Sequence, residues 1–214
     1  MKYPYIITAL AVVAISALVG SVYLQSLPNE SERSAPAELR DILLPESRRI
    51  EPFSLIDSQN EVFDLSRLQG KWTLIFFGYT HCPDICPTTL ATLGRMAKDL
   101  QQKSPRYYSD TQFVFVSVDP KRDTTAHLAE YVDYFHPDFL AATGEKDQID
   151  RLARRLGTVY MFEGDTGSDD YLVNHSAGIV VIDPRGHWAA RFNAPHKAAE
   201  MAENFRRLRD YFQR

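Results

Sequence analysis

The feature that most constrains the fold is a nearly continuous apolar run, WTLIFFGY, from Trp72 to Tyr79. The run is rich in β-forming residues and shows no polar alternation, which is typical of a strand buried on both faces of a sheet. A strand of this kind needs helices packed on each side of the sheet. The run therefore predicts an α/β domain.

The segments after this run predict a thioredoxin-like order of strands and helices. Helical spacing follows Pro87 in TTLATLGRMAKDLQQ, and FVFVSV at residues 113–118 has the composition of a second buried strand. Two more helices are predicted in TAHLAEYVDYF and DQIDRLARRLG. Near the end, GIVVI and HWAARF flank a turn at residues 183–186, which predicts a hairpin before a final amphipathic helix.

The segments before Trp72 predict three further parts. The stretch PFSLIDSQNEVFDLSRLQGKW contains two short apolar runs on either side of residues 58–60, which predicts a small N-terminal hairpin added to the fold. Residues 26–49 are rich in proline and charge and have the composition of a linker. We therefore assign residues 1–25 to a membrane anchor, 26–49 to a linker and 50–214 to the folded domain.

The anchor prediction rests on an uncharged N-terminal stretch. No Asp, Glu, Lys or Arg occurs from Tyr3 to Asn29, and IITALAVVAISALVGSVYL is apolar enough for a single transmembrane helix. Lys2 precedes it and acidic residues follow it, so we expect the soluble domain on the exported, periplasmic side of the cytoplasmic (inner) membrane. A cleaved signal peptide is the alternative, and it also exports the domain.

The charge of the chain excludes one class of partner. The formal net charge is −4, and lysine and arginine are scattered rather than clustered. Nucleic-acid binding requires a basic face, so the sequence predicts no nucleic-acid partner.

The chemistry of the chain is predicted at its only two cysteines. Cys82 and Cys86 lie in GYTHCPDICP, between a buried strand and a helix, where first-turn N–H groups stabilise thiolates. Their spacing places both sulfurs on one side of a helical turn, so they could share a metal ion or form a disulfide. A soft metal needs a further ligand, and His175 is the best candidate because thioredoxin-like folds bring its loop against the cysteine turn. Copper in either oxidation state and zinc both suit this donor set.

Other polar residues have simpler interpretations. His81 adjoins Cys82, but its side chain should diverge from the face that the cysteines share. Asp123 or Thr124 could cap the helix that follows, and Gly78 would allow close packing at the strand end. The acidic stretch at residues 163–170 lacks the ligand spacing of a calcium loop and is predicted to be solvated. The other histidines are expected on the surface or in packing contacts, namely His127, His136, His187 and His196.

Three motifs together resemble the Sco (SenC) family: GYTHCPDICP, SVDPKRDT at residues 117–124, and YLVNHS before GIVVIDPRG. The resemblance covers about residue 50 to the end. It implies a copper-binding protein with Cys82, Cys86 and His175 as ligands, which assists assembly of the dinuclear copper centre of cytochrome c oxidase. The implied partners are the copper-centre subunit of the oxidase and a copper donor protein. Asp119 resembles a family acidic residue near the site.

Two enzymatic functions compete with this hypothesis. A thiol–disulfide reductase would use Cys82 and Cys86 as catalytic residues to keep the oxidase cysteines reduced. Against it, the spacing is C-x3-C, and His175-Ser176 stands where thioredoxin-like reductases usually carry a cis-proline. A peroxidase is disfavoured because Tyr79, and not Thr or Ser, lies three residues before Cys82.

Overall fold

The computed structural model describes residues 14–22, 35–168 and 170–213. The chain divides into two units, Met1–Ala37 and Glu38–Arg214. The fold of the second unit positions the predicted site.

The predicted membrane anchor falls largely outside the described residues. Within the first unit, residues 14–22 are helical. Among the described residues, no helix combines the length and the apolar character that a membrane span requires. An anchor in residues 1–25 stays a prediction.

The main sheet is built around β4 (Trp72–Gly78), in which every residue is buried. Two strands follow it in parallel on one side, first β5 (Thr111–Ser117) and then β6 (Phe139–Thr143). On the other side β9 (Ile179–Ile182) pairs with β4 in the antiparallel direction. The apolar runs that predicted β4, β5 and β9 therefore occupy the centre of the sheet, as expected for strands covered on both faces.

Antiparallel strands extend this sheet on both sides. Beyond β9 lie β10 (His187–Phe192) and β1 (Leu43–Arg49), and beyond β6 lie β2 (Ser54–Asp57) and β3 (Val62–Asp64). The strand order is β1-β10-β9-β4-β5-β6-β2-β3. The β2–β3 pair confirms the predicted N-terminal hairpin, and Asn60 at its turn has a φ of 64°, a left-handed conformation that asparagine tolerates.

The strand β1 differs from the expectation for this part of the sequence. The composition of residues 26–49 indicates a linker, but the last seven of them, Leu43–Arg49, form an edge strand on β10. Most side chains of β1 are exposed, so backbone hydrogen bonds rather than apolar burial hold the strand. A polar, charged segment paired in this way leaves no hydrophobic periodicity to detect.

Helices connect these strands in the predicted thioredoxin-like order. Helix α1 (Ile85–Lys103) follows β4, and the short α2 (Pro105–Tyr108) leads into β5. Helix α3 (Thr125–Asp133) connects β5 to β6, where it packs, and α4 (Lys146–Arg155) follows β6. Helix α5 (Ala198–Phe212) closes the domain against α1.

A small hairpin outside the main sheet carries the predicted histidine ligand. Its strands are β7 (Tyr160–Glu163) and β8 (Leu172–His175), which pair with Tyr160 opposite His175. The described residues of the connecting stretch 163–170 are all exposed, which agrees with the predicted solvated loop. The hairpin was not predicted, because its strands have only four residues each and bury only alternate side chains.

Candidate metal centre

The cysteine turn follows directly from the central strand. The N–H of Cys82 donates to the carbonyl oxygen of Tyr79 at 3.3 Å, and α1 then begins at Ile85. Cys86 is buried in the first turn of α1, whereas Cys82 is partly exposed. The N–H of Cys86 donates to the sulfur of Cys82 at 3.4 Å. This donor has no partner within the helix, so it is free to stabilise negative charge on the sulfur.

His175, at the end of β8, brings its imidazole to the two sulfurs. Its Nε2 lies 3.1 Å from the Sγ of Cys86. One potential ligand atom from each of His175, Cys82 and Cys86 lies within 4.8 Å of the others. The Nδ1 of His175 lies 3.2 Å from the carbonyl oxygen of Ser176, which can only accept a hydrogen bond. Nδ1 therefore carries the proton, and Nε2 presents its lone pair to the sulfurs.

The orientation of this imidazole is fixed from two directions. The rings of Phe76 and Tyr79 contact the His175 ring edge-on, with centroids 5.7 and 6.1 Å away. The next residue, Ser176, donates its N–H to the carbonyl of Val159 at 2.9 Å, and its hydroxyl accepts the N–H of Val159 at 3.1 Å. Packing and backbone pairing thus hold His175 in place before any ion arrives.

The two thiols differ in their affinity for a proton. The pKa of Cys82 is lowered to about 3, chiefly because the Cys86 thiol donates a hydrogen bond to its sulfur, with further donation from the backbone N–H groups of Asp84 and Cys86. The pKa of Cys86 is raised, because its proton is shared with Cys82 and its side chain is buried. At neutral pH the pair therefore holds one proton, and Cys82 is the thiolate.

A buried ion pair ties the histidine hairpin to the loop after β5. Asp119 accepts the hydroxyl proton of Tyr171 at 2.7 Å and the Nε–H of Arg122 at 2.5 Å. Arg122 also donates to the carbonyl of Tyr171 at 3.0 Å and stacks on its ring, with the guanidinium carbon 3.5 Å from the centroid. Because Tyr171 immediately precedes β8, Asp119 and Arg122 set the position from which this strand carries His175 to the sulfurs.

Asp123 fastens the cysteine turn, a role that the sequence did not reveal. Of the two predicted caps, Thr124 is the one that accepts a backbone N–H at the start of α3. The carboxylate of Asp123 is fully buried and accepts the N–H and the hydroxyl of Thr80 at 3.1 and 2.5 Å, and the hydroxyl of Ser117 at 2.5 Å. Thr80 lies two residues before Cys82, so Asp123 anchors the turn from 43 residues away in sequence.

Gly78 makes room for the buried sulfur. A Cβ atom at this position would lie 2.6 Å from the Sγ of Cys86 and 2.8 Å from Cε2 of Phe115. The prediction that this glycine permits close packing is confirmed. The closely packed partner is Cys86 itself.

The remaining candidate residues lie apart from the sulfurs. The described part of the chain holds one cluster of three or more potential metal ligands, namely Cys82, Cys86 and His175. The side chain of His81 is half exposed and its Nδ1 contacts the hydroxyl of Thr80 at 3.1 Å, which agrees with the expected divergence. The other histidines contact neighbouring protein groups, as for His136, which stacks on Phe139.

The donor set determines which ions suit the site. Two sulfurs and one imidazole nitrogen are soft to borderline ligands, which favour Cu(I), accept Cu(II) and also bind zinc. Three protein ligands leave a coordination position open on any of these ions. By chemistry alone, the site fits a soft metal ion.

Comparison with known proteins gives consistent matches. The sequence model of the SCO1/SenC family matches residues 44–210. The chain is 33% identical over 205 residues to the mitochondrial SCO2 homologue of Bos taurus, covering 95% of this chain and 76% of that protein. It is 37% identical over 156 residues to a SCO2-like protein of Rickettsia prowazekii, covering 72% and 74%.

A solved structure with copper bound shares the fold. The ScoI protein of Arabidopsis thaliana with copper bound superimposes with a TM-score of 0.69 at 34% sequence identity. The match covers 75% of this chain and 98% of that chain. The α/β thioredoxin-like architecture is therefore the one found in Sco proteins.

Proposed function

The chain belongs to the SCO1/SenC family, and we propose that it is a copper carrier that binds one copper ion through Cys82, Cys86 and His175. We further propose that the ion is delivered to the dinuclear copper centre of cytochrome c oxidase, as the Sco resemblance implies. The observation that carries the proposal is the convergence of these three side chains, whose ligand atoms lie within 4.8 Å of one another. The copper-bound state of the Arabidopsis relative supports copper over zinc as the ion.

Each residue of the centre has a distinct part in uptake. Cys82 is partly exposed and already a thiolate, so it is the first ligand that an arriving ion meets. Cys86 gives up the proton of the pair when it binds, so loading with Cu(I) releases one proton. His175 supplies Nε2, with Nδ1–H held by the Ser176 carbonyl.

Release follows from the low number of ligands. A three-ligand site leaves room for a thiolate of the acceptor to bind the ion before Cys82 leaves it. The ion then passes between proteins by ligand exchange and is never free in solution. Cys82 and Cys86 remain reduced, ready for another ion from a donor protein.

A thiol–disulfide reductase is the second candidate, favoured by the unequal proton affinities of the cysteines. In that reaction the Cys82 thiolate attacks an acceptor disulfide, forms a mixed disulfide and expels one acceptor thiolate. Cys86 then loses its proton and attacks the Cys82 sulfur, which expels the second acceptor thiolate. Two electrons pass from the pair to the acceptor, and Cys82 and Cys86 end as a disulfide.

The proposed location places this centre outside the cytoplasm. We assign residues 1–25 to an anchor in the cytoplasmic (inner) membrane and residues 50–214 to a domain on its periplasmic side. The uncharged stretch from Tyr3 to Asn29 supports this assignment. The linker between the proposed anchor and the folded domain is shorter than residues 26–49, because β1 begins at Leu43. Protease digestion of intact spheroplasts tests the proposal, which fails if the domain is protected.

Copper competition tests the carrier function directly. The full-length, reduced protein is titrated with Cu(I) under anaerobic conditions against a competing chelator, beside His175→Ala and a control, His187→Ala. The control is suitable because His187 lies at the start of β10 beside Asp183. We expect one copper per parent chain and an affinity lowered about 10-fold or more by His175→Ala alone.

The cysteine variants decide between the two candidate functions. If the parent binds copper no more tightly than Cys82→Ala/Cys86→Ala, the carrier function is wrong and the reductase takes its place. A reductase should retain most of its exchange rate in His175→Ala, because neither step uses the imidazole as a ligand. A carrier should lose copper in that variant.

A further inference from the structure

Two imidazoles meet at one hydroxyl group beside the cysteine turn. The Nδ1 of His81 and the Nε2 of His127 each lie 3.1 Å from the Oγ1 of Thr80. Their ring centroids are 6.2 Å apart. Behind the hydroxyl lies the buried carboxylate of Asp123, whose Oδ1 is 4.0 Å from the Nδ1 of His81.

The hydrogen-bond inventory of Thr80 shows how these groups are arranged. A hydroxyl has one proton and two lone pairs. Thr80 donates its proton to Asp123 at 2.5 Å, so it can only accept from the two imidazoles. Two ring nitrogens, one from His81 and one from His127, therefore converge on a single point in front of a buried negative charge.

This spacing is compatible with one metal ion shared by the two rings. Metal–imidazole bonds are about 2.0–2.1 Å long, so the centroids of two rings on one ion lie up to roughly 6.3 Å apart. The observed 6.2 Å is within that limit, and both histidines are exposed, so their side chains can rotate onto an ion. Each neutral imidazole can move its N–H to the outer nitrogen through water, which frees the converging nitrogen as a ligand without net loss of a proton.

We propose that His81 and His127 form a second copper-binding site, at which the ion is held transiently on its way to or from Cys82. His81 is the chain neighbour of Cys82, which is the more exposed of the two cysteines. Imidazole binds both oxidation states of copper, and the buried charge of Asp123 favours a cation at this position. Two imidazoles bind more weakly than two sulfurs and an imidazole, so an ion captured here passes on to the main centre. That the ion is copper rests on the proposed function. The convergence of His81 and His127 on Thr80 is independent of that function.

The site is tested in the full-length chain carrying Cys82→Ser and Cys86→Ser. Titration with Cu(II) alone, followed by electron paramagnetic resonance, should show one bound ion with nitrogen hyperfine splitting. Adding His81→Ala or His127→Ala should weaken binding about 10-fold or more, because either change removes one of two protein ligands. Circular dichroism of each variant establishes that the domain is folded.

Matched histidine changes in the same background decide the outcome. His187→Ala should leave the Cu(II) affinity unchanged, because its side chain lies on β10 beside Asp183 and does not contact Thr80. The proposal is wrong if the affinity survives the loss of both His81 and His127, or if His187→Ala lowers it equally.

The rate of loading tests the transient role. In the chain with both cysteines intact, His81→Ala should slow the uptake of copper from a chelate while leaving the final affinity of the main centre unchanged. An unchanged uptake rate overturns the transit role. Because the titration is made without the cysteine thiols, failure of the histidine pair and failure of the Cys82–Cys86–His175 centre give separate results.

Discussion

Substituting Gly78 by alanine should damage the metal centre through a single steric contact. The backbone of Gly78 does not adopt a positive φ, so alanine is tolerated there except for the space that its Cβ requires. That Cβ would lie 2.6 Å from the Cys86 sulfur, whereas ordinary contacts begin at 3.4 Å. The sulfur must therefore move by about 0.8 Å, and Phe115 must move with it. Metal–ligand distances tolerate only about 0.2 Å, so Cys86 would be displaced well beyond bonding range.

Two magnitudes follow for Gly78→Ala. Overpacking of this kind costs about 1–3 kcal/mol in free energy of unfolding. The Cu(I) affinity should fall about 10-fold or more, because the displaced sulfur no longer meets the ion with the other two ligands. Urea unfolding measures the first quantity and chelator competition the second.

Gly94→Ala is the matched control for this prediction. Gly94 lies in α1, as Cys86 does, and a Cβ there would lie 2.8 Å from the carbonyl oxygen of Phe135, outside the metal centre. It should destabilise the chain to a similar extent while keeping the copper affinity of the parent. If Gly78→Ala also keeps that affinity, the contact with Gly78 does not position the Cys86 sulfur for metal binding and the reasoning is refuted.

Three further experiments test other parts of the site. Asp123→Asn should lower the free energy of unfolding by about 2–4 kcal/mol in urea titration, because three hydrogen-bond donors lose a charged acceptor. An unchanged value would contradict the anchoring role. Iodoacetamide should label Cys82 as fast at about pH 5 as at neutral pH, as mass spectrometry can measure, because its pKa is lowered to about 3. Since folding removes this proton, the contribution of Cys82 to stability is full above the ordinary thiol pKa of 9.0 and declines as the pH falls toward about 3. Tyr171→Phe should cost about 1–2 kcal/mol by removing the hydroxyl donor to Asp119, whereas Tyr134→Phe, at an 86% exposed side chain, should cost nothing measurable.

The centre of the fold could be predicted because its strands bury every residue. In β4 and β9 each side chain is buried, so a continuous apolar run is the direct expression of their position in the sheet. Helix α1 could likewise be predicted, because apolar residues recur at helical spacing after Pro87. We also expected the segment before β9 to lie against the cysteine turn. The structure agrees, since it brings His175 close to Cys82 and Cys86.

The parts that could not be predicted depend on contacts between distant segments. β1 is held by its backbone, and its side chains carry no apolar pattern. Asp123 has the local features of a helix cap, yet its partner Thr80 is 43 residues away, a distance over which a single sequence gives no pairing information. Asp119 was expected near the site, but its link through Tyr171 requires the β7–β8 hairpin, which was itself not predicted.

The hairpin that carries His175 gives copper an effect on the whole chain. Cys86 and His175 are 89 residues apart in sequence, so an ion held by both closes a long loop. A cross-link across about 100 residues removes unfolded-state entropy equivalent to about 4.7 kcal/mol. Bound copper should therefore stabilise the folded state by linking the cysteine turn to the β7–β8 hairpin. When the ion leaves, the chain stays folded but loses this added resistance to unfolding, so the protein without copper should unfold at a lower temperature than the protein with copper.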